Sequence, residues 1–375
     1  MCGDSGGAGK SPSCSRAEDL RTHPGGLHAI TMGGMLAGNR TDAVNAENVR
    51  RIVYRALVLT LGLFIGCSHH HQQRPEIDQA QRPQIPLGMW VWRDTDFNTP
   101  TALEDLLSFC EKEGVTHLDV HTRLMERDGA YVLREEAAFA QLITQASQRG
   151  ITVSALRGAP GMFLASEREQ TLADLSAMIA FDASLRPGPG LLGIKYDVEP
   201  YATPQWRLGG DPKLQVVEDY LATLAEIRQT LDAQAPDLLL TTDIPFWWDK
   251  QEHEVEFRGR HQALSSHVQD LTDYVAIMSY RRGASQVIDC VETEVAKATQ
   301  VGRTICPSLE TGELRTDQHI SFFGTDPALM RTCIDSLRTH FLAVPAVRMI
   351  MLHHYGTVSA YLQESVPPSA QVPDQ

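Results

Sequence analysis

Between Pro86 and about Leu362 the chain alternates two hydrophobic rhythms. Short apolar runs of strand length are separated by longer segments whose apolar residues recur every three or four positions. The first rhythm suits buried strands, the second amphipathic helices. The strand-like runs are Gly88–Trp92, Val115–His121, Ile151–Leu156, Leu191–Glu199, Leu238–Ile244, Tyr274–Tyr280, Arg303–Leu309 and Val347–His353. Helical spacing covers Arg134–Arg149, Leu172–Leu185, Leu214–Ala235, Leu264–Leu271, Val287–Thr299 and Ala328–Phe341. A further helix opens at Thr101–Glu104, which reads as a capping box, and stops at Gly114. Strands separated by helices predict an α/β protein with a parallel sheet. A single (β/α)8 barrel over residues 86–362 is the economical arrangement, with a doubly wound open sheet as the alternative.

One stretch departs from this pattern. GIKYDVEPY, Gly193 to Tyr201, carries charges at Lys195, Asp197 and Glu199. Alternation in a strand puts these three on one face and Ile194, Tyr196 and Val198 on the other. Pro200 cannot donate to a sheet ladder, so the strand is expected to end there with Glu199 at its C-terminal tip. Active sites of α/β barrels lie at that end. The plainer reading is a buried Lys195–Asp197 ion pair with Glu199 on a loop.

Charge and cysteines narrow the classes. The formal net charge is -14, from 47 acidic and 33 basic residues, which argues against tracking nucleic-acid phosphates. None of the 7 cysteines forms a CxxC pair, so a zinc finger is not indicated. Cys110, Cys290, Cys306 and Cys333 read as buried free thiols.

Upstream of the barrel, Ala56–Gly66 is an uncharged run of 11 residues preceded by Arg50, Arg51 and Arg55. A basic region before a short apolar stretch is the pattern of a secretory signal peptide, too short to span a bilayer. The run ends LFIGC, which resembles the lipobox of bacterial lipoproteins. That resemblance implies a signal peptide over 48–67 and lipidation (palmitate) at Cys67. Residues 1–47 read as a disordered leader or as sequence upstream of the true start. Residues 68–85 read as a linker and 363–375 as a disordered tail. The expected protein is exported and held by Cys67 at a bacterial membrane, facing the periplasm or the cell surface.

In a barrel, residues at the strand tips share one face. They are Trp92, Asp119, His121, Arg157, Asp197, Glu199, Asp243, Trp247, Trp248, Tyr280, Arg281, Glu310, His353, His354 and Tyr355. Acids, aromatics and histidines together suit a cleft for a polar, neutral polymer. Trp206, Trp247 and Trp248 are candidates to stack on sugar rings, whereas Trp90 reads as core.

The barrel with GIKYDVEP on its fourth strand resembles the family 18, chitinase-like glycoside hydrolases. Asp197 and Glu199 match that family's Asp-x-Glu, and Met278 and Tyr280 match its Met-x-Tyr on strand six. The resemblance implies Glu199 as general acid, with Asp197 and Tyr280 holding a substrate acetamido group that acts as nucleophile. Lys195 and Arg281 stand where the family carries acids, and a cation at Lys195 is expected to stabilise ionised Asp197. The chain is also similar to retaining clan A glycosidases, which carry an acid/base Glu on strand four and a nucleophilic Glu on strand seven. Glu199–Pro200 and Glu310 fit those places, while Val198 replaces the usual Asn. The implied partner is a polysaccharide or oligosaccharide, with no cofactor and no metal. Two other classes stay open. One is a barrel that binds carbohydrate without turnover. The other is a metal-dependent hydrolase using Asp119, His121, Asp197 and His353.

Overall fold

The structure is a computed structural model and describes residues 84–363. The leader 1–47, the signal peptide 48–67 with Cys67, nearly all of the linker and nearly all of the tail lie outside the described residues. Among the described residues no helix is long and apolar enough to cross a membrane.

Eight parallel strands close into a barrel. In chain order they are β1 (Leu87–Val91), β2 (Val115–His121), β5 (Thr152–Arg157), β6 (Gly193–Tyr196), β7 (Leu239–Pro245), β10 (Tyr274–Met278), β11 (Thr304–Glu310) and β12 (Ile350–His353). Each pairs with its neighbour in the chain order, and β1 closes the ring by pairing Leu87 with Ile350 of β12. Helices α1 (Pro100–Glu113), α2 (Glu136–Gln148), α3 (Arg168–Ser184), α4 (Pro204–Leu208), α5 (Gly210–Gln234), α6 (Leu264–Leu271), α7 (Ala284–Val301), α8 (Pro327–Phe341) and α9 (Tyr355–Gln363) follow the strands. This is the (β/α)8 barrel, not the open sheet.

Two hairpins lie outside the expected pattern. β3 (Leu124–Arg127) pairs with β4 (Ala130–Leu133) after the second barrel strand, and β8 (Glu254–Phe257) pairs with β9 (Arg260–Ala263) after the fifth. Both turns pass through αL at a non-glycine and a glycine, Asp128–Gly129 and Arg258–Gly259. Boundaries shift elsewhere. The cap of α1 is Thr99, whose hydroxyl accepts from the Ala102 amide at 3.2 Å, so Thr101 lies inside the helix. Pro100 occupies the first turn, where a missing N–H costs nothing. β6 is shorter than expected and stops at Tyr196, because Asp197–Glu199 leave the sheet to enter a 3-10 turn at Pro200–Ala202.

Two cores follow from strand alternation. The outer one lies between strands and helices and includes Leu118, Val120, Ile194, Tyr196, Ile277 and Leu309. The inner one fills the lumen with Trp90, Leu156, Tyr274, Ala276, Cys306, Met349 and Met351. Gly88 admits the two methionines, since a Cβ there would collide with both of their sulfurs. The four described cysteines are free, with Cys290 half-buried and the others buried.

Candidate functional site

The site begins with a cation inside the barrel. Alternation in β6 turns Lys195 into the lumen, where it is fully buried. Its Nζ lies 2.8 Å from Asp119 Oδ2 on β2 and 2.8 Å from Asp243 Oδ1 on β7. It also sits 4.8 Å above the Trp90 ring. Asp119 binds His117 Nε2 at 2.9 Å, and Trp90 Nε1 donates to Asp243 Oδ2 at 3.1 Å. Burial opposes charge on the lysine, but the two carboxylates hold its pKa well above the ordinary value. Asp119 is likewise buried, yet Lys195 and His117 bring its pKa down to about 2. Lys195 therefore pairs with Asp119 and Asp243, not with Asp197 as the plainer sequence reading had it.

That pairing changes Asp197. Burial, Asp243 and Glu199 push its carboxyl well above the usual range, and Lys195 offsets this only incompletely. Lys195 acts on Asp197 in the expected sense, lowering its pKa, but burial, Asp243 and Glu199 outweigh it because the ammonium is shared by two other acids. The Asp197 backbone is fixed from the third barrel strand. Its N–H donates to Arg157 O at 2.8 Å, and Gly158 approaches so closely that a Cβ there would run into the Asp197 carbonyl. Asp243 itself is pushed up to about 6, chiefly by burial.

Two residues on, Glu199 is half-buried and accepts a hydrogen bond from the Tyr201 hydroxyl. Burial and the Glu199 charge hold the Tyr201 phenol well above its ordinary pKa, so it remains a donor. Across the mouth, Glu310 ends β11. His353 Nδ1 donates to its Oε2 at 2.7 Å and the Gly312 amide to its Oε1 at 2.5 Å. Trp92 Nε1 donates to His353 Nε2 at 3.0 Å. An indole N–H only donates, so Nε2 is the acceptor and the imidazole proton sits on Nδ1. Burial alone would raise the Glu310 carboxyl, but these donors hold it below the usual range. Tyr280 lies between the two halves: burial, Glu310 and Asp197 all push its phenol well above the ordinary value. The mouth therefore combines a carboxyl pushed up, Asp197, with one held down, Glu310. Acid–base chemistry requires environments that drive a pair of carboxyls apart in this way.

The other predicted residues divide. Trp247 is half-buried beside Tyr201, with ring centroids 5.3 Å apart, and packs on Trp206 and His253. Trp248 is fully buried against Tyr220, Tyr201 and Trp206, so it has no free face for a ligand. His121 is half-buried beside Trp92, with ring centroids 5.6 Å apart. Arg157 is turned to α3, binding Asp174 at 2.5 Å and Thr122 O at 2.9 Å. Arg281 bonds its neighbour's carbonyl, Tyr280 O, at 2.6 Å and covers the Phe246 ring. His354 is half-buried, and burial together with His353 lowers its pKa to about 4. Tyr355 packs on Phe109 of α1, outside the mouth. The proposed metal ligands are not gathered. Asp119 is occupied by Lys195 and His117, and His353 by Trp92 and Glu310. Among the described residues no group of three or more His, Cys, Asp or Glu is placed to hold a metal.

Sequence reasoning missed Tyr201 and His117. Tyr201 was visible as the residue after Glu199–Pro200, since a one-residue turn can fold a tyrosine back onto the acid. His117 shares the alternation of Asp119 and His121 and was legible on that ground.

No protein-family model and no curated protein matches the chain. Among solved structures the chain is similar to a glycoside hydrolase family 18 N-acetylglucosaminidase from Paenibacillus barengoltzii, at 14% identity over 74% of this chain and 98% of that one, TM-score 0.45. It is similar to a chitinase from Bacteroides thetaiotaomicron, at 13% identity over 72% and 89%, TM-score 0.45. An endo-1,4-beta-mannanase from Eisenia fetida aligns at 10% identity over 72% and 85%, TM-score 0.50. At these identities the likeness is one of fold, a barrel of the kind on which those sugar hydrolases are built.

Proposed function

We propose that this chain is a glycoside hydrolase-like barrel acting on a cell-envelope or extracellular polysaccharide. Glu199 serves as general acid, Asp197 and Tyr280 orient the substrate, and Glu310 supplies a fixed negative charge or the nucleophile. The observation that carries this reading is the split of carboxyl environments at the mouth. Asp197 is pushed above the usual carboxylate range by burial, Asp243 and Glu199, while Glu310 is held below it by His353 and the Gly312 amide. With its pKa raised, Asp197 can share its proton with Glu199, which then carries it to the scissile oxygen. An ionised Glu310 opposes the positive charge that develops on the sugar ring.

The Glu310 assignment is tested with Glu310→Gly in the presence of azide. If Glu310 is the nucleophile, activity falls by about 10³-fold or more and azide restores it as a glycosyl azide of inverted configuration. If it acts only by charge, azide restores nothing and Glu310→Gln keeps a fraction of the rate. A second reading, a barrel that binds sugar without turnover, is favoured by one feature: both Glu310 oxygens are already engaged. It predicts that Glu199→Gln leaves oligosaccharide affinity unchanged and that the wild type releases no product.

The anchor belongs to the same reading. Cys67→Ser is expected to move the protein from the membrane fraction to the soluble exported fraction and to abolish incorporation of labelled palmitate. Retention at the membrane with no label in the wild type would remove the lipid anchor from the account.

A further inference from the structure

His353 ends β12 and stands between one partner on β11 and another just past β1. Its carbonyl accepts from the Thr311 amide at 3.1 Å and from the Thr311 hydroxyl at 3.0 Å, which ties its backbone to the end of β11. Its ring is walled by Trp90, with centroids 5.6 Å apart, by Tyr280 at 6.0 Å and by His354 at 5.0 Å. Inside that cage each ring nitrogen is taken by one polar group. Nδ1 lies 2.7 Å from Glu310 Oε2, on a residue that is 4% exposed, and Nε2 lies 3.0 Å from Trp92 Nε1.

The identity of the second partner matters. A hydroxyl or an imidazole can accept as well as donate, whereas an indole N–H only donates. A second proton on Nε2 would therefore lose the 3.0 Å bond and set N–H against N–H. A neutral His353 offers Glu310 a hydrogen bond and no net charge. A doubly protonated His353 is a cation 2.7 Å from the carboxylate and cancels the negative charge that the mouth places there. A ring that only stacked on sugar would have no need to aim its N–H at this nitrogen.

We propose that Trp92 is a positioning residue that acts through His353: its indole N–H occupies the Nε2 lone pair, so the imidazole orients Glu310 without cancelling its negative charge. This role rests on the proposed use of Glu310 as nucleophile or fixed charge. It reconciles that use with a carboxylate whose two oxygens are both engaged. The titratable groups facing His353 are Glu310 from β11, Tyr280 just past β10, and His354 beside it in the chain. Trp90 and Trp92 carry no charge. Behind these lie Asp243, bonded to Trp90, His121, packed on Trp92, and Arg93, whose charge reaches His354.

The test is nitrogen NMR of the full chain with labelled histidine, comparing the wild type with Trp92→Phe. The His353 signal is assigned by its loss in His353→Asn. At pH 8 the wild type is expected to carry a proton on Nδ1 and none on Nε2, a result that tests the proposal even without the variant. Trp92→Phe keeps a ring in a half-buried place and removes only the N–H donor, so it should fold. As the pH is lowered, its His353 should take up the second proton about one pH unit above the wild type, the size of one neutral hydrogen bond. On a polysaccharide that the wild type cleaves, the ratio of variant to wild-type kcat/KM should fall by up to about tenfold from pH 8 to pH 5. In the His353→Asn background that ratio should be flat, because asparagine can donate to Glu310 but cannot gain a charge. The proposal is overturned if Nε2 carries the proton at pH 8, if the His353 midpoint is the same in both proteins, or if Trp92→Phe lowers activity by one factor at every pH. A wild type without turnover would remove the hydrolase reading, while the NMR midpoints would still uphold or overturn the role of Trp92.

Discussion

Lys195 has the largest influence of any single residue on the site. One ammonium shared by Asp119 and Asp243 leaves the lumen with more acid than base, and that surplus adds to burial in raising Asp197. Lys195→Met would leave two buried acids without their cation and should cost about 3–5 kcal/mol of stability by urea unfolding. The pH dependence follows from the same residues. Asp243 titrates at about 6 in the folded protein against 3.8 in the unfolded chain, and Asp197 is raised as well. Over that window the folded state binds more protons than the unfolded state. Stability is therefore expected to fall as pH rises from about 4 through about 6, by an amount on the order of a few kcal/mol. Glu294, raised to about 8 chiefly by burial, extends the decline. Asp119 acts in the opposite sense, since its pKa is lowered to about 2 and its contribution is lost only in strong acid. Melts at pH 5 and pH 8 check the sign, which a higher Tm at pH 8 would reverse. The charges on the fourth barrel strand were legible in the sequence. Their partners were not, because alternation gives the face a side chain takes but not which carboxylates from other strands reach it.

At the scale of elements, the strands and most helices could be read because each repeats a period. The two hairpins escaped because their strands are four residues long and mostly exposed, with Leu133 the one fully buried residue among them, so no apolar face marks them. The end of β6 escaped for a different reason. Asp197–Glu199 continue the alternation of the strand, yet the chain leaves the sheet, and Gly158 on the neighbouring crossover lies where a side chain would push Asp197 away. Gly158→Ala should therefore displace the Asp197 backbone and lower activity far more than its small size suggests. A circular dichroism spectrum like that of the wild type, with activity lost, is the expected pair of results. The tryptophans divide by the same logic. Trp248→Ala removes a fully buried ring and should destabilise by about 3–5 kcal/mol. Trp247→Ala touches a half-buried ring and should act mainly on ligand affinity, read by titration with oligosaccharides.

Taken whole, the molecule is a barrel whose lumen is apolar below and acidic above. Methionines, Cys306 and Tyr274 fill the lower region, and Lys195 with its two acids forms the boundary. Above that boundary Asp197, Glu199, Tyr201, Tyr280, Glu310, His353 and Trp92 are linked by hydrogen bonds or by mutual effects on their ionisation. The most direct measurement of the central claim is the release of reducing ends from a panel of envelope and storage polysaccharides, comparing the wild type with Glu199→Gln. The expected result is release from at least one polysaccharide by the wild type, with the variant slower by about 10²–10⁴-fold. Equal release by both would contradict Glu199 as the acid, and binding without release by the wild type would contradict hydrolysis.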